Sequence, residues 1–322
     1  MTDSTTGSRT LSRLRPGESL GLVAVLGVVI VVFSLLAKNF FSAATFHQIA
    51  NQVPALTIVA VGMTFVVLTR GIDLSVGSVM ALAGSVLGLA MVDAKLPLLL
   101  ALPLAMVAGA LCGFANGWVS VRFGLPSFIV TLGMMQIARG LAYLATDSQT
   151  RYIGKPVEWL GAPLGGLGLS PAILLAILLV AIGQLVLRST VFGRHVLVVG
   201  ANEEAAIYSG IRTSPVRIAV FVIAGALAGL AAAFDSSKMG AVDPNAGAGL
   251  ELSAIAAVVV GGTSLMGGRG SVTGSFLGVL IIATLGAGLN QLGASEPLKL
   301  LVTGLVIVSA VVGDAWRGKQ GN

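Results

Sequence analysis

The sequence is poor in charged residues, cysteine and histidine. Aspartate, glutamate, lysine and arginine make up 10% of its 322 residues, against about 25% in soluble domains. The single cysteine, Cys112, excludes an internal disulfide. The two histidines, His47 and His195, are too few for a metal cluster. We therefore expect neither a metal nor a cofactor.

The chain also lacks a phosphate loop of the form Gly-x-x-x-x-Gly-Lys-Ser/Thr. Such a loop holds nucleotide phosphates with its backbone N–H groups and its lysine. Without it the chain cannot hydrolyse ATP by that route, and no nucleophile–base pair indicates another reaction. We expect a protein that is not an enzyme and that takes any energy of ATP from another polypeptide.

Hydrophobic residues are abundant, at 56% of the chain, and the mean hydropathy is +0.97. These values are typical of an integral membrane protein. The 43 glycines are about twice the usual share, and glycine lets helices approach closely in a bilayer. Four-residue glycine spacings recur at 84/88, 109/113/117, 225/229 and 270/274/278. They predict tightly packed helices.

The hydrophobic segments predict an all-α membrane protein with about ten transmembrane helices. The first apolar run, 20–37, is longer than a signal-peptide core of roughly 7–15 residues, so we expect a retained helix. A cytoplasmic tail over 1–19 would precede a transmembrane domain over 20–314, and a second tail would cover 315–322. The other spans are predicted at 50–69, 76–92, 97–120, 125–146, 170–187, 215–235, 250–266, 271–292 and 297–314.

The distribution of basic residues predicts the orientation of these spans. With both termini in the cytoplasm, twelve of the 19 lysines and arginines lie inside, six lie outside and Arg139 lies within a span. This is the bias that the positive-inside rule describes. The net charge of +6 therefore reflects membrane topology, and we expect no nucleic-acid partner.

The central stretch 193–211 is polar and is predicted to form a short helix outside the bundle. Asn202 offers an oxygen to cap free backbone N–H groups, and Glu203 and Glu204 fall in the first turn, where the helix dipole favours negative charge. The alanines that follow favour a helix, and Gly210 is a natural stop. An ordinary capped helix in a loop and a docking surface both fit these residues.

Asp73 is the foremost ionisable group within the predicted membrane region, where such groups are expensive. It would pair with Arg70 if the turn between them is helical. It would instead cap the next helix, with Ser75 and Ser78 satisfying backbone groups. The alternative is that Asp73 lines the solute path directly.

Further polar residues lie in the predicted helices nearby. Thr131, Gln136 and Arg139 would present hydrogen-bonding groups to a hydroxylated solute, with Gln136 and Arg139 on one helical face. Snorkelling of Arg139 to the membrane surface is the alternative, and Asn116 would otherwise bind neighbouring helices. The candidate path residues are Asp73, Ser75, Asn116, Thr131, Gln136 and Arg139.

Two segments look like distant copies of each other, one from Gly62 to Ser78 and one from Gly262 to Ser275. Each combines an apolar helix, a glycine-bearing break and a second apolar helix. Duplicated, interrupted helices often line the path of a transporter near the repeat interface. We therefore expect an internal repeat.

Several motifs together resemble the permeases of ribose-type sugar ABC importers. They lie at 60–64, at 71–78, at 131–135 with Arg139 and Gly140, at 200–206 with 209–211, and at 252–264 with Gly267 and Gly268. Glu204 to Gly210 follows the E-A-A-x-x-x-G loop of ABC importers. Ala201 departs from the usual Gly-Asn-Glu order of the family, which we expect barely to disturb docking.

The resemblance implies an inverted-repeat bundle similar to the vitamin B12 permease type, in the bacterial inner membrane and in contact with its lipid. It also implies two permease copies, identical or related, two cytoplasmic ATPase subunits and a periplasmic sugar-binding protein. ATP binding would rotate the two bundles through the coupling loop 193–212. The residues implied to contact the ATPase are Arg194, Asn202, Glu203, Glu204, Ala205, Ala206, Ser209 and Gly210.

The predicted function is the permease subunit of an ATP-driven importer for ribose or a related monosaccharide. Branched-chain amino-acid permeases share the wider superfamily, so another small polar solute is an alternative. A stand-alone secondary transporter is the rival from another class. It would need coupling carboxylates within spans, and only Asp73 and Glu251 qualify.

Overall fold

The computed structural model describes residues 16–165 and 168–320, which are mostly helical. The predicted all-α membrane fold is confirmed. Residues 1–15 and 321–322, which belong to the predicted tails, lie outside the described residues. The first helix already begins at Pro16 and the last ends at Gln320, so helix extends into both predicted tails.

Fourteen α-helices follow one another along the described residues. They are α1 (Pro16–Leu36), α2 (Ala43–Gln52), α3 (Pro54–Leu68), α4 (Val76–Gly88), α5 (Leu98–Phe123), α6 (Ser127–Thr146), α7 (Lys155–Glu158), α8 (Pro171–Ser189), α9 (Val191–Ala201), α10 (Glu203–Tyr208), α11 (Thr213–Met239), α12 (Leu250–Val260), α13 (Val272–Gln291) and α14 (Glu296–Gln320). A π-helical turn, Leu89–Asp93, extends α4. Two short strands, β1 (Arg151–Tyr152) and β2 (Ala241–Val242), pair antiparallel.

The predicted number of ten transmembrane helices is not confirmed. Seven described helices are long and apolar enough to cross a membrane, or eight if the bent pair α2–α3 is one span. These two helices meet at 48°, because Pro54 begins α3 and has no N–H to continue the ladder of α2. Helix α12 has only 11 residues, about 16 Å of helix against a hydrocarbon core of about 30 Å.

The connections between helices collect at opposite ends of the bundle. At one end, Gly268 N–H donates to the Leu68 carbonyl (2.9 Å), which joins the loop after α12 to the end of α3. At the other end, β1 pairs with β2, and Arg151 lies 3.7 Å from Asp93 at the end of α4. Helix α11, with 27 residues, runs between them. We call them the α10 end and the strand end.

Helices α5 and α11 pack closely over a long contact, because their glycines face each other. A Cβ atom on Gly109 would overlap the carbonyl of Gly225, and a Cβ on Gly225 would overlap the carbonyl of Gly109. Gly113 and Gly117 meet the backbone of α11 in the same way. The glycine spacings on these helices therefore mark close packing, as predicted.

The two segments predicted to be copies lie side by side, and each has the predicted helix–break–helix form. The first is α3, a break over 69–75 and α4. The second is α12, a break over 261–271 and α13. Thr64 Oγ1 donates to Ser275 Oγ at 2.8 Å, which ties the two segments together inside the core. The inverted symmetry of the repeat stays a prediction.

Candidate functional site

The central stretch 193–211 is helical over most of its length and contains two helices. Its first half is helix α9, capped by Thr190, whose Oγ1 accepts from Gly193 N–H at 3.1 Å. Val196 and Val199 are buried against the bundle. This half does not lie outside the bundle as predicted, because one apolar face at helical spacing packs on it.

The second half is the short helix α10, as predicted from its capping residues. Asn202 Oδ1 accepts from Ala205 N–H at 3.0 Å. Glu203 and Glu204 lie in the first turn. Gly210 has φ +79°, the left-handed conformation that ends many helices. The cap and the stop fix α10 as a knob of under two turns on the surface.

Most residues predicted to contact an ATPase are exposed. These are Arg194, Asn202, Glu204, Ala205, Ser209 and Gly210. Two others serve the fold: Glu203 is half-buried and lies 3.4 Å from Arg217 of α11, and Ala206 is fully buried among apolar side chains. Ala206 thus anchors α10 on the bundle.

Sequence reasoning missed two apolar side chains on the outer face of α10. Ile207 is 56% exposed and Tyr208 is 90% exposed. They follow directly after the buried Ala206, so the helical period turns them outward. Exposed aromatic residues of this kind are enriched at the centres of protein interfaces. Together with Glu204 they form a surface that is apolar in the middle and acidic beside it.

Arg70 does not pair with Asp73. Of the two structural roles considered for the Asp73 carboxylate, the ion pair is therefore excluded. The Arg70 guanidinium instead bonds main-chain carbonyls of two other segments. Nε donates to the carbonyls of Gly200 (2.7 Å) and Met266 (2.8 Å), and Nη2 donates to that of Ala201 (2.8 Å). The end of α9, the break after α3 and the break after α12 therefore meet at one arginine.

Asp73 turns its carboxylate to the start of α4. Its Oδ1 accepts from the N–H of Ser75 (2.9 Å) and from the Ser75 hydroxyl (2.6 Å). Asn116 of α5 donates to the same hydroxyl at 2.9 Å. All three side chains are buried, so they close a polar turn inside the bundle. The Oδ1 atom of Asn116 is buried and has no hydrogen-bond partner.

Helix α6 supports the same break from its other side. Ser127 Oγ accepts from Ile72 N–H (2.9 Å), and Thr131 Oγ1 accepts from Leu74 N–H (3.1 Å). The Thr131 hydroxyl also donates to the Ile72 carbonyl at 3.2 Å. Side chains of α6 thus satisfy main-chain groups that a continuous helix would have satisfied itself.

The predicted set of Thr131, Gln136 and Arg139 is not brought together. Thr131 faces the core and Gln136 is exposed, because five residues turn a helix by about 140°. The Nη1 atom of Arg139 donates to the carbonyls of Pro244 and Ala246, in the loop between β2 and α12. Snorkelling of Arg139 to the membrane surface stays an alternative. The role of each of the three residues in the solute path stays a prediction.

A cavity of about 90 Å³ lies towards the strand end, between α4, α11 and the residues that follow α11. Two carboxylates line it, Asp235 and Asp243, and the first lies 3.5 Å from Lys238. None of the predicted path residues lines this cavity. Ala246, which also lines it, belongs to the loop that Arg139 holds.

Long apolar helices joined by buried polar breaks, with a capped helix outside the bundle, define a polytopic membrane transport protein. The family model described as "Branched-chain amino acid transport system / permease component" matches residues 45–311, and the chain belongs to this family.

Curated relatives match along almost the whole chain. The ribose import permease protein of Haemophilus influenzae is 37% identical over 313 residues, 94% of each chain. That of Bacillus subtilis is 39% identical over 305 residues, 92% of each chain. The fructose import permease protein of Rhizobium meliloti is 34% identical, over 92% of this chain and 86% of its own. No solved structure matches the chain significantly.

Proposed function

We propose that this chain is the membrane subunit of an ATP-driven importer that carries ribose or a related monosaccharide. The observation that carries the proposal is the identity of 37–39% with two ribose import permeases over at least 92% of the chain. The fructose relative, at 34%, keeps the choice among sugars open to experiment. A different small polar solute is the second candidate.

The surface of α10 is proposed to bind a separate ATPase subunit. Glu204, Ile207 and Tyr208 point away from the bundle, while Ala206 fixes the helix to it. An apolar centre with an acidic neighbour fits an apolar groove with a basic rim. The remaining proposed partners are a second permease copy, identical or related, a periplasmic sugar-binding protein and the lipid of the bacterial inner membrane.

The α10 end is proposed to face the cytoplasm, with both tails on the same side. Several arginines lie at this end, among them Arg70, Arg194, Arg212 and Arg269. Fewer basic residues, six in the count made from the sequence, belong to the opposite side. This asymmetry is the one that the positive-inside rule describes.

Uptake by the reconstituted complex tests the proposal. The permease, its ATPase and its binding protein are placed in proteoliposomes, and entry of radiolabelled ribose, fructose and arabinose is measured with and without ATP. We expect ATP-dependent entry of one of these sugars. ATP-independent uptake by the permease alone would indicate a secondary transporter instead, and entry of none of the three sugars would contradict the proposed substrate class.

Reversing the charge of Glu204 tests the docking surface. Glu204→Arg places a cation opposite the proposed basic rim, so the affinity for the ATPase subunit should fall at least about tenfold. Membrane insertion should be unchanged, because the side chain is exposed. Co-purification and titration with the ATPase measure the effect.

Glu296→Arg is the matched control. It reverses another exposed carboxylate in the first turn of a helix, and it belongs to neither α9 nor α10. Normal affinity in the Glu204 variant, or an equal loss in the control, would count against docking at α10.

A further inference from the structure

Arg70 stands at the point where three separate segments of the α10 end touch. Its carbonyl partners are Gly200 and Ala201 at the end of α9, and Met266 in the break between α12 and α13. They lie 130, 131 and 196 residues away in the sequence. Ala201 is followed directly by Asn202, the cap of the exposed helix α10.

The main chain around Arg70 is shaped for this contact. Arg70 itself has φ +61°, a left-handed conformation that is unfavourable for a residue with a side chain and persists only where its surroundings fix it. Gly200 has no room for a Cβ, which would overlap the Leu68 carbonyl and approach Gly268 N. Bare backbone therefore surrounds the arginine on the side of α9 and on the side of the second break.

Arginine suits this position because of the shape of its head group. The guanidinium is planar and presents several donors in a rigid fork. Here two of its nitrogens reach three carbonyls on two segments. A lysine ammonium carries the same charge but is a compact point on a flexible stem, so it would hold the two segments less firmly.

On its other side, Arg70 continues into the buried polar turn of the first break. Ile72 and Leu74 are bonded to α6 through Ser127 and Thr131. A series of contacts, made of hydrogen bonds joined by the main chain of residues 70–74, thus runs from the base of α10 through Arg70 to α6. Such a series transmits movement when its members are held in discrete arrangements.

We propose that Arg70 is the joint that makes the surface helix α10 and both interrupted segments move as one unit. Arg70 is a positioning residue: it acts on the solute path through α6 and the second break. The inference rests on the proposed function in one respect, since it assigns the movement of α10 to a docked ATPase. The joint itself is a property of the permease alone.

Hydrogen–deuterium exchange on the full-length permease in lipid nanodiscs tests the joint without any partner. Arg70→Asn removes the guanidinium while asparagine tolerates the left-handed backbone. Exchange should become faster, on the order of tenfold, as for the loss of one hydrogen bond. It should do so both at the end of α9, around Asn202, and in the second break, around Gly268. Arg70→Lys should show the same pattern to a smaller extent.

The matched control is Arg122→Asn. Arg122 is exposed at the end of α5 and lies over the ring of Phe123, 6.0 Å from its centre. Its exchange pattern should equal that of the wild type. Unchanged exchange in the Arg70→Asn permease, or a change in only one of the two segments, would contradict the proposal that Arg70 joins them.

Transport by the complete complex tests the consequence. In the Arg70→Asn complex the ATPase subunit should still bind and hydrolyse ATP at a rate within about twofold of the wild type, whereas solute moved per ATP should fall by about tenfold. A merely structural role would lower binding and hydrolysis together. An unchanged ratio of solute to ATP would overturn the proposal. If the wild-type complex shows no ATP-dependent uptake, the proposed function fails, while the exchange experiment still decides on the joint.

Discussion

The two breaks in the interrupted segments have similar sequences. Their main-chain N–H and C=O groups nevertheless find hydrogen-bond partners in different ways. The first, 69–75, is closed by side chains of α5 and α6, and its Asp73 and Ser75 are buried. The second, 261–271, makes a tight turn of its own, in which Ser264 N–H donates to the Arg269 carbonyl at 2.9 Å. There Met266 is 71% exposed.

Glycine explains much of this difference. Four glycines of the second break have positive φ angles, so its main chain can fold back and satisfy itself. They are Gly262, Gly267, Gly268 and Gly270. In the first break Arg70 alone has a positive φ, and the extended residues after it depend on neighbouring helices. The second break therefore satisfies part of its main chain by itself and is partly exposed, whereas the first depends on side chains of neighbouring helices.

A side chain at Gly200 should disturb the contacts of α9 with both breaks. We expect it to lower the stability more than the other substitutions below. Gly200→Val would push α9 away from the Leu68 carbonyl and from Gly268, and overpacking of this kind costs typically about 1–3 kcal/mol or more. We expect a lower thermal midpoint and poor recovery of folded protein. The measurement is a melting curve of the purified permease.

Gly133→Val provides the comparison for that variant. Gly133 lies on α6, where a Cβ would meet nothing within 4 Å. Its melting curve should stay close to that of the wild type. Equal stability of the two variants would show that the contact between α9 and the two breaks is loose.

Asp73 sharpens the comparison, because only the first break contains a buried carboxylate. Asp73→Ala removes the acceptor of two hydrogen bonds from Ser75 and should cost about 1–3 kcal/mol. Asp73→Asn keeps an oxygen in the same place and should retain most of that stability. Melting curves and uptake are measured for both variants.

The two variants of Asp73 separate a structural role from a role in the solute path. If Asp73 only closes the turn, Asp73→Asn transports normally. If Asp73→Asn is stable yet transports poorly, the carboxylate takes part in the path, as one sequence-based hypothesis holds. Unchanged stability of Asp73→Ala would contradict the capping geometry.

Gln184 gives the smallest of the three effects and addresses the second break. Its Oε1 accepts from the N–H groups of Val272 (2.9 Å) and Thr273 (3.2 Å) at the start of α13. Gln184→Ala should cost about 0.5–2 kcal/mol, like the loss of a helix cap, while Gln184→Glu keeps the acceptor. Equal melting temperatures for the wild type and Gln184→Ala would mean that this break needs no help from α8.

Sequence reasoning succeeded where the determinants are local. Asn202 and Gly210, eight residues apart, predict the beginning and the end of α10. The glycine spacing on α5 likewise predicts close packing, because the helical period puts Gly109, Gly113 and Gly117 on one face.

It failed where the partners are distant or the pattern is mixed. Nothing near Arg70 in the sequence points to Gly200 or Met266, so a local ion pair with Asp73 was the natural expectation. Helix α9 was hard to predict because Arg194 and His195 interrupt the apolar run in the sequence. The separation of Thr131 from Gln136 could have been predicted from the sequence, since five residues turn a helix by about 140°.

The glycine contact between α5 and α11 has a consequence for how the protein changes shape. With main chain directly against main chain at Gly109 and Gly225, no side-chain rotation can take up a displacement between the two helices. We expect α5 and α11 to move together as one rigid body. Adjustment then falls to outlying helices such as α14, none of whose residues from 296 to 313 is buried. Because the contact between α5 and α11 leaves no gap, we expect the solute path to run along other helix surfaces.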